Sequence, residues 1–220
     1  MITPAFPAQS GPVLLPGPAG LLEVNVDLPE DDVAALPLVA IVCHPLSTEG
    51  GTMHNKVVTM TARALRELGA TTVRFNFRGV GQSEGAFDEG NGELDDLLAV
   101  AAWVRQQRGD AVLWLAGFSF GAYVSLRAVA ELQPALVISI APPAGRWNFS
   151  DIVLPSCPWL VIQGEADEIV DPETVYAWLK KSKAQAELVR MPDTSHFFHR
   201  KLIDLRGAIK NGVRPYLPNG

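Results

Sequence analysis

Apolar residues in this chain come in short, nearly unbroken runs, and between the runs apolar positions recur at helical spacing. Leu38–Cys43, Leu113–Ala116, Ala135–Ile140 and Trp159–Gln163 are runs of the first kind. The lack of polar alternation predicts strands buried on both faces, as in a parallel sheet. Thr72–Phe77 and Glu187–Met191 read as further strands. Val13–Leu15 and Leu21–Leu28, on either side of Pro16-Gly17-Pro18-Ala19-Gly20, read as a hairpin with an edge strand. A helix is predicted over His54–Leu68, where Val57, Val58, Thr61, Leu65 and Leu68 share a face and Gly69 stops the run. A second spans Gly92–Gln107, with Leu94, Leu97, Leu98, Ala101 and Val104 as its buried stripe. Its leading acids, Glu93, Asp95 and Asp96, and its trailing Arg105 and Arg108 suit the helix dipole. Further helices follow at Tyr123–Ala130, Pro172–Ser182 and 200–211, the last with Leu202, Leu205 and Ile209 on one side.

A hairpin followed by repeated strand–helix units predicts an α/β fold, a mainly parallel sheet with helices on both faces, because such crossovers are right-handed. No internal repeat, low-complexity run or linker divides the chain, so residues 1–220 are expected to form one domain. The Pro- and Gly-rich residues 1–12 are expected to lie loosely over its surface.

The chemistry starts at Gly117-Phe118-Ser119-Phe120-Gly121, a complete G-x-S-x-G between an apolar strand and a helix. A strand that turns sharply into a helix exposes its turn residue in a strained conformation, and the flanking glycines allow the close approach this needs. A serine hydroxyl held there needs a base, and the base needs an acid to orient it. Among the four histidines, His196 follows the last strand in a loop able to reach back over the strand ends. His199 and His54 read as surface residues, and His44, before Pro45, as a loop-shaping one. The acid lies in Gly164-Glu165-Ala166-Asp167-Glu168-Ile169-Val170-Asp171-Pro172. Asp171 precedes a proline at a helix start and is expected to cap that helix. Asp167, in mid-loop, is favoured over Glu165 and Glu168. A tetrahedral intermediate needs two amide donors. Phe120 N–H at the helix start supplies one. Leu46 N–H is the nearest candidate for the other, because Pro45 has none. Arg78 could bind a substrate carboxylate or phosphate, but the acids that follow it, Glu84, Asp88, Glu93 and Asp96, favour a structural ion pair, and Lys56 is read as solvated rather than catalytic. Trp147 and Phe149, in the Pro-rich connection 142–158, are candidate walls of an acyl pocket together with Phe197.

Composition narrows the setting. A chain 48% hydrophobic and 19% charged is globular. A formal charge of −6 argues against nucleic acid or an anionic membrane as partner. Met1–Pro18 holds no Lys or Arg and several prolines, unlike a signal peptide, and no apolar run is long enough for a bilayer. Cys43 and Cys157 are expected to be free thiols in a reducing cytoplasm.

Taken with His44-Pro45, Gly50-Gly51-Thr52-Met53-His54-Asn55-Lys56 and Arg74-Phe75-Asn76-Phe77-Arg78-Gly79-Val80-Gly81-Gln82-Ser83-Glu84-Gly85, the serine motif resembles the α/β-hydrolase superfamily across nearly the whole chain, and in detail a small bacterial branch without a lid. The resemblance implies an eight-stranded sheet with its second strand antiparallel, Ser119 as nucleophile, His196 as base, Asp167 as orienter, and the Leu46 and Phe120 amides as oxyanion hole. Many relatives carry a helical cap between the sixth and seventh strands; residues 142–158 are too few for one. The expected activity is hydrolysis of small carboxylic esters or thioesters, with no metal or organic cofactor. An acyltransferase or short-peptide peptidase on the same fold, and a non-catalytic binding module, are the competing readings. The substrate is a small molecule in each enzymatic case.

Overall fold

The computed structural model describes residues 3–219. Eight strands form one sheet: β1 (Gly11–Gly17), β2 (Gly20–Asp27), β3 (Leu38–Cys43), β4 (Thr71–Phe75), β5 (Val112–Phe118), β6 (Leu136–Ile140), β7 (Trp159–Gly164) and β8 (Glu187–Met191). Their order in space is β1-β2-β4-β3-β5-β6-β7-β8. β2 runs antiparallel to both its neighbours, and all pairs from β4 to β8 are parallel. The helices are α1 (Lys56–Arg66), α2 (Asn91–Gln107), α3 (Phe120–Arg127), the short α4 (Val129–Leu132), α5 (Pro172–Lys181) and α6 (Leu202–Val213). This is the α/β-hydrolase arrangement, and the connection from β6 to β7 holds only an isolated bridge, Ala144 to Trp147, with no cap domain.

Both faces of the central strands are apolar because both are covered. Along β3, Val39, Ile41 and Cys43 join a core roofed by α2, α3 and α5, while Leu38, Ala40 and Val42 join a second core beneath α1 and α6. β5 divides the same way, Leu113 and Leu115 to one side and Trp114, Ala116 and Phe118 to the other. The period of two is therefore present but invisible as a polar/apolar alternation.

Element bounds differ from the sequence reading in several places, β4 ending at Phe75 and the helix after Ser119 splitting into α3 and α4 among them, and four departures have a visible cause. α1 begins at Lys56 rather than His54, since the Asn55 side chain accepts the Val57 N–H and so caps the helix two residues later. α6 begins at Leu202 rather than 200, because Phe198 and Arg200 both have left-handed φ, 54° and 62°. In α2 the buried stripe is shifted: Glu93 and Asp96 are buried, whereas Leu94 and Leu98 are half-buried. The Glu93 carboxylate accepts from the Asp88 and Gly90 N–H groups, and Asp96 accepts from Arg78, so each buried charge has partners. Finally, the described part of the segment before β1, from residue 3, is not loose; residues 1 and 2 lie outside the described residues. Phe6 stacks on Trp103 at 5.1 Å between centroids, Trp103 Nε1 donates to the Pro4 carbonyl at 2.8 Å, and Phe6 N–H donates to Gln107. Pro4 and Phe6 thus strap the N-terminal segment to α2, an aromatic contact that Pro and Gly content does not reveal.

Candidate active site

The elbow between β5 and α3 is the point at which the parallel strands deliver their chemistry. Ser119 sits there with φ 52° and ψ −120°, a conformation that costs about 1–3 kcal/mol and persists only where neighbours impose it. The two glycines show what imposes it. A β-carbon on Gly117 would lie 2.3 Å from the Gly121 carbonyl oxygen, and one on Gly121 would lie 2.3 Å from the Cys43 oxygen and 2.6 Å from that of His44. The start of α3 is therefore pressed against the end of β3. Ser119 N–H donates to the Ile140 carbonyl, tying the elbow to β6 as well.

Two further loops bring the rest. His196, 2% exposed, stands in the loop after β8 with its Nε2 3.1 Å from Ser119 Oγ and its Nδ1 2.8 Å from Asp167 Oδ2. A carboxylate only accepts, so Nδ1 carries the proton and Nε2 is left to accept from the serine hydroxyl. Asp167, in the loop after β7, is 7% exposed. Burial by itself would raise its carboxyl, but hydrogen bonds from His196, Val170 and Ile169 more than offset that and hold it below the usual carboxylate range. The β7 and β8 loops are laced by Glu165 N–H to Met191 O and Ala166 N–H to Thr194 O. Gly164 meets the Thr194 carbonyl so closely that a β-carbon there would sit 2.3 Å from its oxygen. Asp171, as expected, accepts from Thr174 N–H at the head of α5 and is spoken for.

The N–H groups of Leu46 and Phe120 donate to no acceptor among the described residues. Leu46 is fixed by its neighbours: its carbonyl accepts from Glu49 and Gly51 N–H, and Gly51 packs against the Pro45 and Leu46 oxygens with no room for a β-carbon. His44 is wholly buried. Its Nε2 accepts from Phe77 N–H at 3.0 Å and its Nδ1–H donates to Pro45 O at 2.6 Å, which joins the ends of β3 and β4. Burial pushes this imidazole down to about 4, so it is neutral in both roles.

The Arg74–Gly85 stretch is scaffolding for the same rim. Asn76 accepts from Met53 N–H and donates to Glu23, Ser83 donates to the Asn76 carbonyl, and Arg74 Nη1 donates to the Met53 carbonyl. Arg78 forks onto Asp96, one of the four acids the sequence offered it. Of the three aromatic candidates, Trp147 lies against Phe120 at 4.9 Å and Tyr123 at 5.2 Å, and Phe197, 38% exposed, stands edge-on to the His196 ring at 5.1 Å. Phe149 does not join them as an acyl wall: it turns toward Tyr123 and Trp178 and borders a separate groove of about 550 Å³ beside α5. In a connection without helical pattern, the sequence carries no signal for which way each ring points.

Sequence reasoning overlooked one residue of the site, Gln163, and gave another a different role. Glu168, weighed only as an alternative orienter, instead accepts the His196 backbone N–H at 3.1 Å. Gln163, at the end of β7, donates to Asp167 Oδ2 at 3.1 Å. A lone amide closing an apolar strand was the available signal.

The comparisons with known proteins agree with this architecture. The profile of the alpha/beta hydrolase fold family matches residues 41–147. XC6422 of Xanthomonas campestris, a member of the a/b serine hydrolases without a lid, is 69% identical; it superposes with a TM-score of 0.97 over 99% of this chain and 100% of that one. An alpha-beta serine hydrolase homologue from Coxiella burnetii is 43% identical, with a TM-score of 0.91 over 95% of this chain and 100% of the other. RP471 of Rickettsia prowazekii, an uncharacterized protein, is 33% identical over 79% of this chain and 77% of its own length. This chain belongs to the α/β-hydrolase superfamily, within its small lidless serine hydrolase branch.

Proposed function

We propose that the chain hydrolyses small carboxylic esters or thioesters through an acyl-enzyme on Ser119. The observation that carries this reading is the hydrogen-bonded series Ser119 Oγ, His196 Nε2, His196 Nδ1, Asp167 Oδ2 at a strained elbow, drawn from residues 77 and 29 positions apart. Packing alone does not require that order. Ser119 Oγ attacks the carbonyl carbon while His196 Nε2 takes its proton, and Asp167 holds the imidazole and stabilises its charged form. The carbonyl oxygen becomes an oxyanion, received by the Leu46 and Phe120 amides, the latter at a helix start where the dipole adds to it. As the intermediate collapses, His196 returns the proton to the leaving alcohol or thiol. Water then attacks the acyl group by the same route, and Ser119 is regenerated. No step calls for a metal or an organic cofactor.

Trp147 and Phe197 flank the elbow and suit a short acyl group at an open mouth. Buried Cys43 and half-buried Cys157, both free, suit a reducing cytoplasm. No helix among the described residues is long and apolar enough to cross a membrane. A fluorophosphonate probe followed by peptide mapping tests the reading. A single adduct on Ser119, lost in Ser119→Ala together with turnover of p-nitrophenyl acetate, is the expected result; an adduct elsewhere, or undiminished turnover in that variant, overturns it. Acyl-CoA and aminoacyl amide substrates in the same screen separate thioester hydrolysis, acyl transfer and peptide cleavage.

A further inference from the structure

The β7 run Trp159-Leu160-Val161-Ile162 is wholly apolar until Gln163, which is also completely buried. A leucine or methionine would fill that place without desolvating an amide. Gln163 Nε2 donates to Asp167 Oδ2 at 3.1 Å and to the Gly164 carbonyl at 3.2 Å. Rotating the amide would set its oxygen against two acceptors, so the neighbours fix its orientation. Its Oε1 has no hydrogen-bond partner among the described residues, a destabilising feature in a buried strand. An amide kept under those conditions points to work done by its donor.

The donor falls on a particular atom. Asp167 Oδ1 is held by the Ile169 and Val170 N–H groups at 2.9 and 2.8 Å. Oδ2 has two side-chain partners, His196 Nδ1 and Gln163 Nε2. We propose that Gln163 is a positioning residue for the acid–imidazole pair: it holds Oδ2 in line with His196 Nδ1 and, by sharing that oxygen, sets the lower edge of the pH range in which His196 serves as base. The proposal rests on the catalytic reading given above. The charged groups facing the His196 ring and its backbone are Asp167 and Glu168, both from the loop after β7. Ser119 Oγ faces Nε2, and the uncharged Phe118 and Phe197 rings pack against the imidazole. With the Gln163 donor removed, more of the Asp167 charge is directed at the imidazole. The protonated ring is then favoured, and a higher pH is needed to free the base.

Gln163→Met preserves volume and removes the donor. The acid limb of its kcat/KM profile for p-nitrophenyl acetate should move up by about half a pH unit or more, with the plateau within about tenfold of the native enzyme. A purely structural role would lower the plateau and leave the limb in place, and that result overturns the proposal. The far-downfield His196 Nδ1 proton in the NMR spectrum gives a readout independent of turnover. It should move further downfield in Gln163→Met, and an unchanged resonance also overturns the proposal. Should Gln163→Met not fold, Gln163→Asn keeps an amide but withdraws it by one methylene, and it is held to the same two outcomes. Native protein without Ser119-dependent turnover would refute the esterase reading alone, since the proton resonance still decides the role of Gln163.

Discussion

Acid should loosen this molecule from within the rim beside Ser119, through His44. The ring is wholly buried, accepting from Phe77 N–H and donating to the Pro45 carbonyl, and both roles require the neutral tautomer. A second ring proton would face the Phe77 N–H. Burial lowers this imidazole from its ordinary 6.5 to about 4, the Pro45 hydrogen bond opposing only part of the fall. Between those values the unfolded chain binds a proton that the folded chain refuses, so stability is complete above about pH 6.5 and is lost as pH falls toward 4. Each pH unit is worth about 1.4 kcal/mol, so the full span of about 2.5 units amounts to about 3 kcal/mol, and the part above pH 5 to about 2. That is a large share of a normal domain stability of about 5–15 kcal/mol. The depressed carboxyl of Asp167 acts in a lower window, below the ordinary carboxylate value, and does not mask the effect. Urea unfolding of the native protein and of His44→Gln at pH 7.5, 6.5, 5.8 and 5.0 measures it. The variant should be less stable at pH 7.5 yet lose about 2 kcal/mol less on the way to pH 5. Parallel pH dependences in the two proteins would refute the reasoning.

Three further outcomes are expected. Asp167→Asn should keep the fold and lower kcat by about 10⁴, since an amide no longer fixes the Nδ1–H tautomer; steady-state kinetics with p-nitrophenyl acetate read it. Arg78→Ala leaves Asp96, whose side chain is fully buried, without its charge partner, and should lower stability by about 3–5 kcal/mol in urea titration. Arg78→Ala with Asp96→Ala should recover part of that loss. Gly121→Ala should be among the most damaging single-methyl changes, because the new carbon would meet the Cys43 and His44 carbonyls; a drop of several kcal/mol accompanied by loss of Ser119 labelling is expected, with thermal unfolding and probe labelling as the checks.

Where the chain's local pattern and its tertiary burial coincide, the fold could be read directly. The runs in β3, β5, β6 and β7 are unbroken because helices cover both faces, and the glycines around Ser119 are required by backbone contacts that leave no room for a side chain. The three polar side chains singled out at the strand ends stand in hydrogen-bonding order for a related reason: a parallel sheet sets the exits of β5, β7 and β8 along one rim. What was not legible depends on partners remote in sequence. An ion pair for Arg78 was expected, but nothing in the sequence singles out Asp96, 18 residues on, from the other three acids as the buried partner, and His44 matters because Phe77, 33 residues on, donates to it. Neither pairing leaves a periodic trace. Pro4 and Phe6 read as loose until Trp103, about a hundred positions away, is seen beneath them. Helix ends moved by two residues for purely local reasons, a capping Asn55 and left-handed residues before α6.

The β6–β7 connection offers an engineering opening. Asn148, Ser150, Asp151 and Val153 are exposed, carry no rung of the sheet and follow directly on Trp147 beside the elbow. Exposed tips of this kind accept inserted sequence readily. A helical hairpin spliced there would hang over the serine without disturbing any strand, a detachable roof above an unchanged elbow.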